Sequence, residues 1–196
     1  HAPPLGFFKI NTDGAALDGS PSCISMAIRD CRGSLIAASS KGLPAPFSTE
    51  ITEALALQDG VLLALELGIS HAIVESDALS IIQAINEGVL GGDLGHIMQN
   101  IKNISSSFSW CCFQHLKRSG NRVAHELARA ARISGVSQVW KGVCPSFVEH
   151  VIIEDGSVQL FAVCSPCYCF VLSVVSQFQL NENFICFPSK KKKKKK

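Results

Sequence analysis

Phe7-Phe-Lys-Ile-Asn-Thr-Asp13 alternates apolar and polar side chains and runs into Asp13-Gly14, the pattern of a strand with one buried face that ends in a turn. Two more apolar, β-capable runs follow, Cys23 to Arg29 and Ser34 to Ser40, joined by Asp30-Cys-Arg-Gly33, a hairpin link with glycine where a positive φ is needed. Three strands this close in sequence predict an antiparallel meander. From Ser48 the period changes from 2 to 3.6. Ser48 reads as the N-cap of a helix from Thr49 to Leu67, with Ile51, Leu55, Leu62 and Leu65 as its core face and Gly68 as its end.

Working outward, His71 to Asp77 reads as a strand and Ala78 to Glu87 as a helix. A glycine-rich link, Gly88 to Gly95, leads to a helix around Ile97 to Ile104, then a fifth strand from Ser109 to Lys117 and a final helix from Val123 to Ile133. The order β-β-β-α-β-α-α-β-α describes an α/β domain, a mixed sheet with helices packed on its faces.

The chain has 196 residues, 47% apolar and 17% charged, which suits one domain and excludes a disordered or collagen-like chain. Its formal charge is +2, but seven of the 18 cations are the terminal run Lys190 to Lys196. Without them 11 cations face 16 acids, a net −5, so a polyanionic partner has to be held by a local patch. Lys117, Arg118, Arg122, Arg129, Arg132 and Lys141 form such a patch, with Glu126 the one acid in their span. Nine cysteines, an odd number in a chain of this length with no signal segment, are read as reduced thiols of an intracellular, non-secreted protein. The first residue is His1, and the expectation is of a fragment whose upstream domains are missing.

After Asp155 the character changes. From Gly156 to Ser189 the one charged residue is Glu182, and the lysine run closes the chain. A membrane anchor is disfavoured because Pro166 interrupts an apolar stretch shorter than the roughly 20 residues a span requires. A zinc or redox site at Cys164-Ser-Pro-Cys167 lacks a second ligand pair. The preferred reading is translated untranslated sequence ending in polyadenylate, so the domain is placed at residues 1–155 and no function at 156–196.

Asp13 and Asp77 are expected at the ends of the first and fourth strands, where α/β sheets gather ligands, and Glu53 one turn into the first helix. Three carboxylates with no cysteine or histidine in the same segments suit a hard cation such as Mg²⁺. Each residue also has a plain structural reading: Asp77 as a helix cap, Asp13 in an Asp-Gly turn, Glu53 as an exposed helix charge.

Together, Asn11-Thr-Asp-Gly-Ala15, Thr52-Glu-Ala-Leu-Ala-Leu57, Val74-Glu-Ser-Asp77 and Gly120-Asn-Arg-Val-Ala-His-Glu-Leu-Ala128 resemble, in order and spacing, the four motifs of the ribonuclease H-like superfamily, in its plant reverse-transcriptase-like form of retroelement type. The resemblance spans about Pro3 to Asp155. It implies the ribonuclease H-like fold, a five-stranded mixed sheet flanked by helices, and an endonuclease that hydrolyses the RNA strand of an RNA/DNA hybrid with two divalent ions, Mg²⁺ or Mn²⁺. Asp13, Glu53 and Asp77 would be the metal ligands, with Glu53 preferred to Glu50 on its Glu-Ala-Leu-Ala context. His125 takes the fourth catalytic position, where active members carry Asp; imidazole is a poor Mg²⁺ ligand, so the alternative implied is an impaired domain that binds nucleic acid or protein. Gly14, Ser119 and Asn121, with Lys117, Arg118 and Arg122, would meet the substrate backbone. Ser22-Cys-Ile-Ser-Met-Ala27 is a segment in which relatives usually place glycines at some positions, and Cys23, Ser25 and Met26 are expected either to crowd the hybrid or to repack the strand. A monomer with no membrane partner is expected.

Overall fold

The structure is a computed structural model that describes residues 2–17, 19–88 and 91–160, the side chains of 17 and 156–160 excepted. Along the chain it forms β1 (Phe8–Leu17), β2 (Ser20–Arg29), β3 (Leu35–Gly42), α1 (Thr49–Glu66), β4 (His71–Ser76), α2 (Leu79–Glu87), α3 (Gly92–Ser105), β5 (Trp110–His115), a 3₁₀ turn (Arg118–Gly120), α4 (Arg122–Ser134), β6 (Gln138–Lys141) and α5 (Ser146–Leu160). The strands make one mixed sheet in the order β5-β4-β1-β2-β3-β6. β1, β2 and β3 form the antiparallel meander, β4 and β5 add in parallel on the β1 side, and β6 adds antiparallel to β3.

The expected architecture holds, with six strands in place of five. β6 is a four-residue edge strand too short to show a period, and α5 is rich in β-branched residues with Gly156 inside it, which hides it from propensity. α5 runs through the boundary expected at Asp155. The stretch from residue 161 onward, including the Cys164–Cys167 pair, the apolar run and the terminal lysines, lies outside the described residues. Among the described residues no helix is long and apolar enough to cross a membrane.

The period of 2 sorts side chains onto two faces. Ile10, Met26, Ile28, Ala37 and Val74 point into the main core under α1, α2 and α3, with Leu57, Val61, Ile82, Ile85, Met98 and Ile101 from the helices. Ala27 and Ala38 point the other way, into a smaller core with Val123 and Leu127 of α4 and Val148 and Val151 of α5. On that second face a chain of buried and half-buried polar groups ties four elements together. Glu75 of β4 receives Lys9 Nζ at 2.9 Å and Asn11 Nδ2 at 2.9 Å, and Arg29 of β2 donates to Asn11 Oδ1 and to Asp155 of α5, both at 2.9 Å.

Two expectations are corrected. The face expected for α1 is not the one it buries: Ile51, Leu55 and Leu65 are half-buried and Leu62 is exposed. α1 instead turns Thr52, Ala56, Gly60 and Ala64 inward at four-residue spacing. The reason is close approach, since a Cβ on Gly60 would lie 2.8 Å from Thr12 Cγ2 and 3.1 Å from Ile10 Cγ2. Nor does the first strand turn at Asp13-Gly14. β1 continues to Leu17, with Gly14 opposite Ile24 and Ala15 opposite Cys23. Glycine is needed there because α1 lies against it: an added Cβ would meet Glu53 N at 2.8 Å and the Thr52 carbonyl carbon at 2.9 Å. On β2, Cys23, Ser25 and Met26 are buried within the strand, which is the repacked alternative, and Ser25 Oγ donates to the Ala124 carbonyl of α4 at 2.6 Å.

Because the groups nearest Gly14 are backbone atoms of a packed helix, Gly14→Ala is expected to destabilise the protein by about 2 kcal/mol. Gly42→Ala, where an added Cβ meets nothing within 4 Å, is the control and should move the urea midpoint little. Equal midpoints for the two variants would contradict this packing.

Candidate metal centre

The parallel pairing of β1 and β4 runs from Phe8 opposite Ala72 to Thr12 opposite Ser76 and stops there. Asp13 and Asp77 are the next residue on each chain, so the register sets them side by side. Seated on Gly14, the first turns of α1 deliver Glu53 to the same place. One carboxylate oxygen from each of Asp13, Glu53 and Asp77 lies within 4.8 Å of the others.

None of the plain structural readings survives. Asp13 is 5% exposed within a continuing strand, and Glu53 is 8% exposed. Asp77 caps no helix: Ala78 holds the N-cap position of α2, and its amide donates to Ser76 Oγ at 3.1 Å. Glu50, the competing acid of α1, is exposed.

Hydrogen bonds orient the carboxylates. Glu53 accepts from the Gly14 amide and the Ser76 hydroxyl, while its Oε2 is buried with no partner. Asp77 Oδ1 accepts from Asn121 Nδ2 at 2.8 Å, and the same amide group donates to the Thr12 carbonyl at 2.8 Å. Asn121 was expected to face substrate; it is 1% exposed, and its amide fixes Asp77 to the end of β1.

His125, one turn into α4, puts Nδ1 3.3 Å from Asp13 Oδ2. Arg118 lies against the imidazole, with Nη2 3.2 Å from Nε2 and 3.4 Å from Nδ1. Lys117, Ser119 and Arg122 are exposed on the approach to α4. The wider basic patch is partly neutralised by acids distant in sequence: Arg122 pairs with Glu154 at 2.7 Å and Lys141 with Glu66 at 3.8 Å, while Arg129 pairs with Glu126 at 3.1 Å. His115, an exposed imidazole, ends β5 opposite Ser76 at the same end of the sheet.

Burial raises the Asp13 carboxyl to about 6, reinforced by Asp77 and opposed by His125 and Arg118. Burial, with Asp13 and Asp77 adding repulsion, raises Glu53 to about 8, although the bonds from Gly14 and Ser76 oppose it. Three converging carboxylates, Asp13 and Glu53 buried and Asp77 half-buried, repel one another, and a buried oxygen of Glu53 lacks a partner among the described residues. An all-oxygen donor set of this kind fits a hard divalent cation, which would relieve both deficits.

Comparison with known proteins agrees with the geometry. Residues 11–131, well over half of the chain, match the model of the reverse transcriptase-like family. No curated protein sequence matches the chain. Among solved structures, the chain is similar to ribonuclease H1 of the halophilic archaeon Halobacterium salinarum, with 16% identity over 66% of this chain and 99% of the other and a TM-score of 0.60. It is also similar to LC11-RNase H1, isolated from compost by metagenomics and solved with an RNA/DNA hybrid, with 22% identity over 65% and 98% and a TM-score of 0.58. A third is the foamy viral protease-reverse transcriptase in complex with RNA/DNA hybrid, with 15% identity over 66% of this chain and 20% of that one and a TM-score of 0.54. At these identities the likeness is one of fold, the ribonuclease H fold.

The raised carboxyls set a pH dependence. Asp13 and Glu53 start from ordinary values of 3.8 and 4.5, so between about pH 4 and 8 the folded chain keeps protons that the unfolded chain has released, and stability falls as pH rises through that window. In EDTA, the urea midpoint is expected to fall from pH 5 to pH 8, and Glu53→Gln is expected to flatten most of the fall. A wild-type midpoint that holds steady or rises would contradict the burial of the cluster.

Proposed function

The chain belongs to the reverse transcriptase-like family, and on that premise we propose that it is a metal-dependent endonuclease that hydrolyses the RNA strand of RNA/DNA hybrids. The observation that carries the reading is the meeting of Asp13, Glu53 and Asp77 within 4.8 Å on three different elements. Asp13, Glu53 and Asp77 would be the protein ligands of the two Mg²⁺ or Mn²⁺ ions. Bound there, the ions would supply a nucleophile at neutral pH and stabilise charge on the leaving 3′ oxygen.

The remaining steps belong to the chain's own groups. The Gly14 amide and the Ser76 hydroxyl hold the Glu53 carboxylate, and Asn121 holds Asp77, so the ligand atoms are oriented before any ion arrives. The raised carboxyls make proton release part of cation binding, which favours loading above neutral pH. Arg118, Ser119 and Lys117, exposed before α4, would meet the backbone of a strand with one phosphate at the carboxylates, and contacts to phosphate carry no base preference, as suits a hybrid of any sequence.

His125 supports a second reading, a domain that binds hybrid and turns it over poorly. Its imidazole engages Asp13 at 3.3 Å with Arg118 behind it, and a nitrogen ligand suits Mg²⁺ badly.

The test is cleavage of a labelled RNA/DNA hybrid by the full chain in Mg²⁺ and, separately, in Mn²⁺. Cleavage that Asp13→Asn reduces to the level of a protein-free control is expected; full activity in that variant would dispose of the assignment. His125→Asp should raise Mg²⁺-supported cleavage about 10-fold, the usual scale for a change in or beside a metal's ligands. An unchanged rate would remove His125 from the metal site. No turnover in either metal from a folded chain that still binds hybrid would select the second reading.

A further inference from the structure

We propose that the cleft between the 3₁₀ turn, the start of α4 and the face of α5 is a binding subsite for a backbone phosphate of the hybrid, and that His150 of α5 is one of its donors. The inference rests on the nuclease reading above and deepens it. The cleft is open, with a volume of about 370 Å³, and its lining includes Arg118, Ser119, Arg122, His125, Glu126 and His150. Five of these six carry N–H or O–H groups that can donate to phosphate oxygens.

The charge balance favours an anion. Glu126 is engaged by Arg129 at 3.1 Å, and Glu154, across the cleft on α5, is engaged by Arg122 at 2.7 Å. Arg118 lies against an imidazole and, among the described residues, has no carboxylate within 4 Å. A cation site is disfavoured because the one acid in the lining already has its own counter-charge. His125 borders the cleft and also touches Asp13 at 3.3 Å, so a phosphate in the cleft would neighbour the one at the carboxylates along the same backbone.

The family match ends at residue 131, while α5 begins at Ser146. His150 is therefore a contribution of this chain from outside the matched region. α5 is held in place by the Arg29–Asp155 pair at 2.9 Å and by the burial of Val148 and Val151, so the exposed His150 is presented by a fixed surface.

The experiment uses the full chain in EDTA, where no metal supports cleavage, and follows binding of a fluorescent hybrid by anisotropy as KCl is varied. His150→Arg should tighten binding and steepen the slope of log K against log salt by about one, and Arg118→Ala should weaken binding and flatten the slope by about one. His150→Ala should weaken binding about 3-fold with an unchanged melting curve. Arg32→Ala, in the hairpin at the opposite end of β2, should bind as wild type. Unchanged affinity and slope in both His150→Arg and Arg118→Ala would overturn the subsite and leave the nuclease reading standing. A response to Arg118→Ala alone would remove His150 and α5 from it. Wild-type protein that fails to bind hybrid in EDTA and neither binds nor cleaves it in Mg²⁺ or Mn²⁺ would overturn both.

Discussion

Backbone meets backbone where helix α1 crosses strand β1, at a separation that glycine alone permits. A side-chain carbon at Gly14 would press on the Glu53 amide, and one at Gly60, two turns along, would press on Thr12 and Ile10. These two contacts set the height of the helix above the sheet. Because α1 sits so low, Glu53 reaches the ends of β1 and β4 instead of standing above them. The main core follows from the same approach, since Leu57, Val61 and Ala64 enter it on the helix that the glycines admit.

What gathers at those strand ends is electrostatically unfavourable by itself. Three carboxyls converge, Asp13 and Glu53 buried and Asp77 half-buried, and the two buried ones respond by holding protons to unusually high pH. The fold tolerates the arrangement because the rest of it is tied down. Asn121 joins Asp77 to β1, the Ser25 hydroxyl joins β2 to α4, and the Lys9–Glu75–Asn11–Arg29–Asp155 chain locks the central strands to α5. A divalent cation suits such a site because it supplies the charge the protein omits, and rigid surroundings keep the ligands from separating when it is absent.

His125 changes the balance on one side of the cluster. A carboxylate at this position would add a fourth negative charge; an imidazole adds a group that can donate to Asp13 and that lies within 3.2 Å of the Arg118 guanidinium. Under the proposed reading, the approach to the centre from α4 would be more attractive to phosphate and less attractive to a second cation. Binding of a polyanion and loading of metal, which an all-carboxylate site would serve together, would then be drawn apart by one residue.

Much of this was legible in the chain. Period-2 runs bounded by glycine gave the strands, and a period of 3.6 after Ser48 gave α1. The resemblance of four short motifs to those of the ribonuclease H-like superfamily drew attention to Asp13, Glu53, Asp77 and His125, and short motifs are legible because they are properties of neighbouring residues. The tertiary structure alone decided what depends on groups far apart in sequence. The leucines of α1 suggested one buried face and the glycine-and-alanine side proved to be the one against β1, since a helix covered on several sides is apolar nearly all round. Asn121 looked like a surface residue of the substrate loop until Thr12 and Asp77, 109 and 44 residues away, claimed its amide. The basic patch looked unopposed until Glu66 and Glu154 arrived from other elements. β6 and α5 were invisible because four residues show no period and β-branched residues weaken a helix signal, and it is the sheet edge and the second core that hold them in place.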